Sequence, residues 1–256
     1  MSSQENSLPR ADDISKQAWE NLSNKKIYFG HQSVGFNIID GVEDILKEYP
    51  FIRLKIREND KPGSEGGGLI HSRVGQNVNP KSKIDDFSFK MQGIKSGKFD
   101  IAGFKLCYVD IHTQTDIESI FSQYKKTMAE LAEKYPETIF IHFTVPLTSE
   151  PKGLKAFITS AKGLVKRVLG KVEMFDNTVK KKYNELIRKE YGSGGHLFDL
   201  AAAESTGPDG RRMFYEKNGQ QIYSLIPGYT EDGGHLNAEG RKFVAEQFLI
   251  FLANLK

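Results

Sequence analysis

The residue types needed for acyl transfer occur in two short stretches near opposite ends of this 256-residue chain. The later one, Asp232-Gly233-Gly234-His235-Leu236-Asn237, sets a carboxylate three residues before an imidazole on a glycine-loosened loop. A carboxylate so placed can hold one ring nitrogen of His235 and leave the other free as a general base. The earlier stretch, Tyr28-Phe29-Gly30-His31-Gln32-Ser33-Val34-Gly35, offers Ser33 as the matching nucleophile. Together they suggest a Ser-His-Asp hydrolase built from Ser33, His235 and Asp232, a chemistry that asks for no metal and no cofactor.

Those residues need a scaffold, and the hydrophobic pattern supplies one. Five apolar, β-branched or aromatic runs alternate with helical patterns, the mark of an α/β fold on a parallel sheet. The runs predict strands over Lys26–Phe29, Ile52–Ile56, Asp100–Tyr108, Thr138–Val145 and His196–Leu200. Val34, Ile38, Val42, Ile45 and Leu46 recur at helical spacing, and Glu118–Tyr135, Asn177–Tyr191 and Ala238–Leu255 read as further helices. Asn237 is placed to cap the last one. Ser33 then falls where the first strand ends and a helix begins. At that point, free N–H groups and the helix dipole favour developing negative charge. Gly30 and Gly35 are expected to let the chain turn tightly there. The bland alternative is that Ser33 only caps the helix.

With serine after the first strand and Asp-x-x-His before a terminal helix, the chain resembles the SGNH (GDSL-like) hydrolase superfamily. The resemblance implies a flavodoxin-like three-layer α/β/α fold, with Ser33, Asp232 and His235 as catalytic residues. The block Asp232-Gly233-Gly234-His235-Leu236-Asn237-Ala238-Glu239-Gly240 is its specific part. The early block departs from the family's Gly-Asp-Ser, reading Gly30-His31-Gln32-Ser33. By the same resemblance, the oxyanion would be held by the amides of Ser33 and Gly75. The family's next block, Gly-x-Asn-Asp, reads Cys107-Tyr108-Val109-Asp110 here, so its Gly and its donor Asn are missing. One lost oxyanion donor typically costs about 3–4 kcal/mol of transition-state stabilisation. Asn77 is the first candidate to replace it, followed by Lys105 and Tyr108.

His31, His71 and Tyr108 are candidates for lining a substrate pocket, His71 from a Gly-rich loop. A structural role for His31 is the competing reading. Asp110 and His112 are too few to make a metal site, and His142 and His196 read as structural. Cys107, the single cysteine, excludes an intramolecular disulfide and reads as a buried small hydrophobe. Two long connections stand out. Asn59–Pro80 is rich in Gly, Asn and Ser; Ser205–Gly234 carries the turn signal Gly207-Pro208-Asp209-Gly210 and room for a small hairpin. Gly63-Ser64-Glu65-Gly66-Gly67-Gly68 lacks the Gly-Lys-Ser/Thr ending of a phosphate loop.

Apolar content of 38% with 27% charged residues is ordinary for a soluble globular protein. No run approaches the roughly 18 apolar residues of a membrane span. Net charge is +3, but between Pro151 and Glu190 eleven Lys or Arg stand against four Asp or Glu. Such a face can steer an acidic substrate, or be a solvated helical surface. Aromatics do not interleave with it, so nucleic-acid binding is not expected. The first residues lack the pattern of a signal peptide; the protein is expected to be cytoplasmic, or exported with its signal absent from this sequence. Residues 1–22 read as a polar leader and first helix, and 23–256 as one hydrolase domain, with oligomeric state open. The function expected is a serine esterase or acetylesterase acting through an acyl-enzyme on an acylated sugar, glycan or small ester. The alternatives are a non-catalytic glycan-binding domain of this fold, and an acyltransferase with the same triad.

Overall fold

The structure, a computed structural model, describes residues 8–60, 66–93, 99–150 and 175–255. Six parallel strands form one sheet: β1 (Lys26–His31), β2 (Ile56–Glu58), β3 (Gly68–Arg73), β4 (Ile101–Phe104), β5 (Ile139–Phe143) and β6 (Leu197–Phe198). Their order is β2-β3-β1-β4-β5-β6, and every neighbouring pair is parallel. Helices cover both faces, so the fold is the expected flavodoxin-like three-layer α/β/α, with six strands instead of five. The additional strand is β3, inside the stretch that reads as a Gly-rich loop. Glycines lead into it and polar His71 and Ser72 interrupt its apolar run, so its composition disguises a segment buried along most of its length. Its neighbour β2 begins four residues later than expected, at Ile56, and carries Arg57 and Glu58, which suit a sheet edge.

One face of the sheet packs against α1 (Lys16–Asn24), α2 (Val34–Glu48) and α7 (Ala238–Ala253). The other packs against α3 (Pro80–Gln92), α4 (Ile117–Lys134) and α5 (Asn177–Tyr191). A short helix, α6 (Leu200–Ser205), follows β6, and an antiparallel hairpin of β7 (Phe214–Lys217) and β8 (Gln220–Tyr223) occupies the long connection where room for one was noted. Trp19 and Leu22 of α1 are buried in the first core, and the Ala11 amide donates to Glu246 of α7 (2.9 Å). The basic stretch, read as a solvated helical surface or a steering face, lies mostly outside the described residues; its described part, on α5, buries Lys180.

Strand β1 has β3 on one side and β4 on the other, so successive connections leave it in opposite directions. In an open parallel sheet the crevice at the carboxyl ends of such strands is where ligands bind. Helices α2 and α7 lie side by side over this region. Gly41 makes that approach possible: a Cβ there would sit 2.7 Å from the Arg241 carbonyl carbon. Beneath them Phe248 is fully buried among Phe29, Phe143 and Phe198, with ring centroids 5.4, 5.7 and 5.1 Å away. Replacing Phe248 by Ala should destabilise the fold by about 3–5 kcal/mol. Urea unfolding measures this directly; a loss below about 1 kcal/mol would contradict the packing described.

Candidate active site

Ser33 lies two residues beyond the end of β1 and immediately precedes the first turn of α2. Its backbone has φ 54° and ψ −116°, a conformation that non-glycine residues rarely adopt. The consequence is that its side chain does not cap α2, which removes the bland reading. It points instead across to the loop before α7, where Ser33 Oγ lies 2.7 Å from His235 Nε2. On the far side of the ring, His235 Nδ1 lies 2.6 Å from Asp232 Oδ2. The other Asp232 oxygen accepts the amides of His235 (2.8 Å) and Gly234 (2.9 Å), which fixes the carboxylate in place. Burial pushes the Asp232 carboxyl up, but the hydrogen bonds from the His235 ring and these two amides outweigh it and hold it below the usual range. The loop is pinned where it runs into α7. Asn237 accepts from Gly240 N as the cap of α7, and the Leu236 amide donates to Asn37 of α2. Asp232 and His235 stay open to solvent, with 55% and 43% of their side chains exposed.

Other expected residues take different places. The Gly75 amide donates to Asp86 Oδ2 (2.9 Å), and the Gly75 carbonyl accepts from the Gln32 side chain. Gly75 therefore anchors a turn, at φ +52° with Lys83 N 2.5 Å from where a Cβ would stand, and its N–H is not free for an oxyanion. Asn77 is exposed, and its Oδ1 accepts from Lys83 Nζ (2.8 Å). Lys105 is completely buried against Leu106 O and Cys107 Sγ, which withdraws it as an oxyanion donor. Cys107 is buried as expected, with its Sγ near Gln32 O (3.4 Å).

His31 and His71 do not line a cleft. His71 belongs to β3 rather than to a loop, and the two rings lie buried beneath Phe36 with His31 Nε2 3.0 Å from His71 Nδ1. Gly30 and Gly35 follow the same logic: neither turns the chain with positive φ, and Gly35 is kept small by the His31 ring packed on it. Tyr108 is only 8% exposed and meets the His235 ring edge-on at 5.6 Å, so it supports the imidazole more than it faces an open pocket. The Asp110 carboxylate is spent on Lys83, Val78 N and Cys107 N and does not pair with His112. Sequence reasoning missed Lys83 and Gln32. A lysine on a helix and a glutamine beside a serine carry no signal until the loops are folded together.

Burial, followed by His71, Lys105 and Arg73, pushes His31 well below the ordinary histidine range; burial does the same to His71, opposed in part by Glu58, Glu43 and Asp40. Folded values below the unfolded value mean that the unfolded chain binds more protons as pH falls. This stability is therefore complete above about pH 6.5 and drains away below it, by up to about 1.4 kcal/mol per pH unit for each histidine. Glu204, whose carboxyl is pushed up to about 8 by burial, titrates in the opposite sense. Urea unfolding at about pH 7.5 and about pH 5 should therefore show the wild type losing more stability, or gaining less, than a variant with both histidines replaced by Gln; the same change in both proteins would contradict a buried neutral pair.

No protein-family model matches the chain, and no curated protein matches it. Among solved structures it is similar to a Streptococcus pneumonia protein provisionally described as a platelet activating factor, with a TM-score of 0.53 at 12% identity over 93% of this chain and 90% of that one. It is also similar to a member of the lipolytic G-D-S-L family from Veillonella parvula, with a TM-score of 0.45 at 13% identity over 90% of this chain and 98% of that one. A third is the periplasmic domain of a Salmonella ser. Paratyphi A lipopolysaccharide acetyltransferase, with a TM-score of 0.45 at 12% identity over 90% and 86% of the two chains. Identities this low speak to fold alone. The likeness to the first of them is one of fold, the parallel α/β/α arrangement described above.

Proposed function

We propose that the protein is a serine hydrolase of the carboxylic-ester type that works through an acyl-enzyme. The observation that carries this reading is the line of hydrogen bonds Ser33 Oγ, His235 Nε2, His235 Nδ1, Asp232 Oδ2, assembled from opposite ends of the chain. In the first step the Ser33 Oγ–carbon bond forms and the carbonyl π electrons move to oxygen, while the Ser33 proton passes to His235 Nε2. Asp232 holds the ring in the tautomer that accepts this proton and stabilises the imidazolium. The Ser33 amide, at the N-terminus of α2, donates to the oxyanion. Collapse breaks the ester C–O bond, and the proton on His235 goes to the leaving alcohol. Water repeats the cycle, with its proton taken by His235 and returned to Ser33 Oγ as the acid departs. An acyl group on a sugar, glycan or small alcohol is the substrate class we propose. The half-exposed Asp232–His235 loop is open enough for water or a second alcohol to reach the acyl-enzyme, so transfer to an acceptor is a second outcome of the same intermediate.

Hydrolysis of p-nitrophenyl acetate tests the reading. Ser33→Ala and His235→Ala should each lower kcat by about 10³-fold or more. Asp232→Asn should lower it by a smaller but large factor, because the ring loses its tautomer control. Turnover that is absent in the wild type, or unchanged in the first two variants, contradicts the proposal. Free acetate as the sole product marks a hydrolase; acetylated acceptor formed in the presence of added sugar marks a transferase.

A further inference from the structure

The Asp232–His235 loop is also held in its middle, at Gly233, by the chain that follows β5. The Ser149 amide donates to the Gly233 carbonyl (2.9 Å). Gly233 has φ +87°, and a Cβ there would stand 2.8 Å from the Phe175 ring and 3.1 Å from Ser149 Oγ. Two residues therefore close on Gly233, and Thr148 sets both in place. Ser149 follows it in the chain, and the Thr148 hydroxyl lies 3.0 Å from both the Phe175 carbonyl and Asn177 Oδ1, which share its proton.

Thr148 is in turn gripped by a buried amide. Asn177, the first residue of α5, is 1% exposed; its Oδ1 accepts from Thr148 N (3.0 Å) and its Nδ2 donates to Thr148 O (2.6 Å). Two turns further along α5, Asn184 makes the same two-way clasp on Val145, accepting from its amide (2.7 Å) and donating to its carbonyl (3.0 Å). Between these clasps the Leu147 amide donates to Glu204 of α6 (2.7 Å). Past Thr144, whose amide reaches Phe198 O (3.4 Å), the backbone is thus held largely by buried side chains in place of a neighbouring strand. The spacing suits this. Seven residues of helix rise about 10.5 Å and three residues of extended chain span about 10 Å, so two asparagines on one face of α5 can meet Val145 and Thr148 together. A side-chain amide that bonds a backbone N–H and C=O at once fixes the peptide in orientation as well as in place.

We infer that Asn177 is a positioning residue for the catalytic pair: its clasp on Thr148 sets Ser149 and Phe175 against Gly233, and so holds Asp232 and His235 where the ring keeps its bond to the carboxylate. This rests on the serine-hydrolase reading above. Asn177 acts through Thr148, Ser149 and Gly233, and touches none of the reacting atoms. Asn184 is the comparison within the fold, because it makes the same clasp four residues before Ser149.

The test uses the full chain and compares Asn177→Ala with Asn184→Ala. The readouts are Tm, steady-state hydrolysis of p-nitrophenyl acetate, and the nitrogen NMR shifts of the His235 ring, assigned by their loss in His235→Ala. Each variant removes the partner of a buried N–H, so Tm should fall by similar amounts. A displacement of about 1 Å at a catalytic group can cost about 10²-fold, so Asn177→Ala should lower kcat by about 10- to 10²-fold with KM little changed. Asn184→Ala should lower kcat by about threefold or less. The ring should carry its proton on Nδ1 in the wild type and in Asn184→Ala, and should mix its tautomers in Asn177→Ala. Asn177→Asp is the second variant. At the N-terminus of α5 a carboxylate is tolerated, so the chain should fold, but the 2.6 Å contact with Thr148 O turns from donation to repulsion. It should show the same kcat loss and the same mixture of tautomers. Equal kcat losses at Asn177 and Asn184, or a proton that stays on Nδ1 in both Asn177 variants, would overturn the inference with the serine-hydrolase reading intact. Wild-type turnover in Ser33→Ala overturns that reading and this inference with it.

Discussion

Helices α2 and α7 come from opposite ends of the chain, and the site exists only because they pack side by side. Ser33 precedes one and His235 the other, 202 positions apart in the chain. Gly41 lets the two backbones approach, and Arg241 on α7 reaches Asp44 on α2 with two nitrogens at 2.9 and 2.7 Å. Lys242 and Glu48 add a further ion pair along the seam. These partly exposed pairs contribute little to stability, but they fix the register between the helices. The apolar layer of Phe29, Phe143, Phe198 and Phe248 beneath supplies the energy. A slip of one residue along this seam would carry His235 away from Ser33.

A second constraint is local. Ser33 occupies a backbone conformation that costs of order 1–3 kcal/mol, and such strain persists only where surrounding contacts impose it. Here they are the Gln32 bonds to the loop after β3, the Cys107 contact to Gln32 O, and the first turn of α2. Strand β1 is thus held on both sides at its carboxyl end, and the strain lifts the Ser33 side chain out of the capping position and toward His235. The buried His31–His71 pair lies beneath this corner.

The motif residues were legible in the sequence because their information is local. Ser33 at a strand–helix junction, Asp232 three residues before His235 and Asn237 at a helix start can each be read within a few positions. The alternation of strands and helices was legible too, since buried parallel strands are apolar throughout. Strand β3 was hidden because His71 and Ser72 are polar yet buried, satisfied by His31 and by the Tyr28 hydroxyl from a strand that is distant in sequence. The folded partners of the residues expected at the oxyanion were hidden for a related reason. Gly75 has the expected residue type, but Asp86, on another element, takes its N–H. Lys83 reads as a solvated helical lysine until Asp110 folds against it. Pairings made only in the folded chain leave no trace in spacing.

Covalent labelling reads out whether Ser33 is an activated nucleophile. Treating the protein with a fluorophosphonate and mapping the adduct by mass spectrometry should place one phosphonyl group on Ser33. The adduct should be absent in Ser33→Ala and form far more slowly in His235→Ala. No adduct, an adduct on another serine, or equal labelling rates with and without His235 would contradict the account.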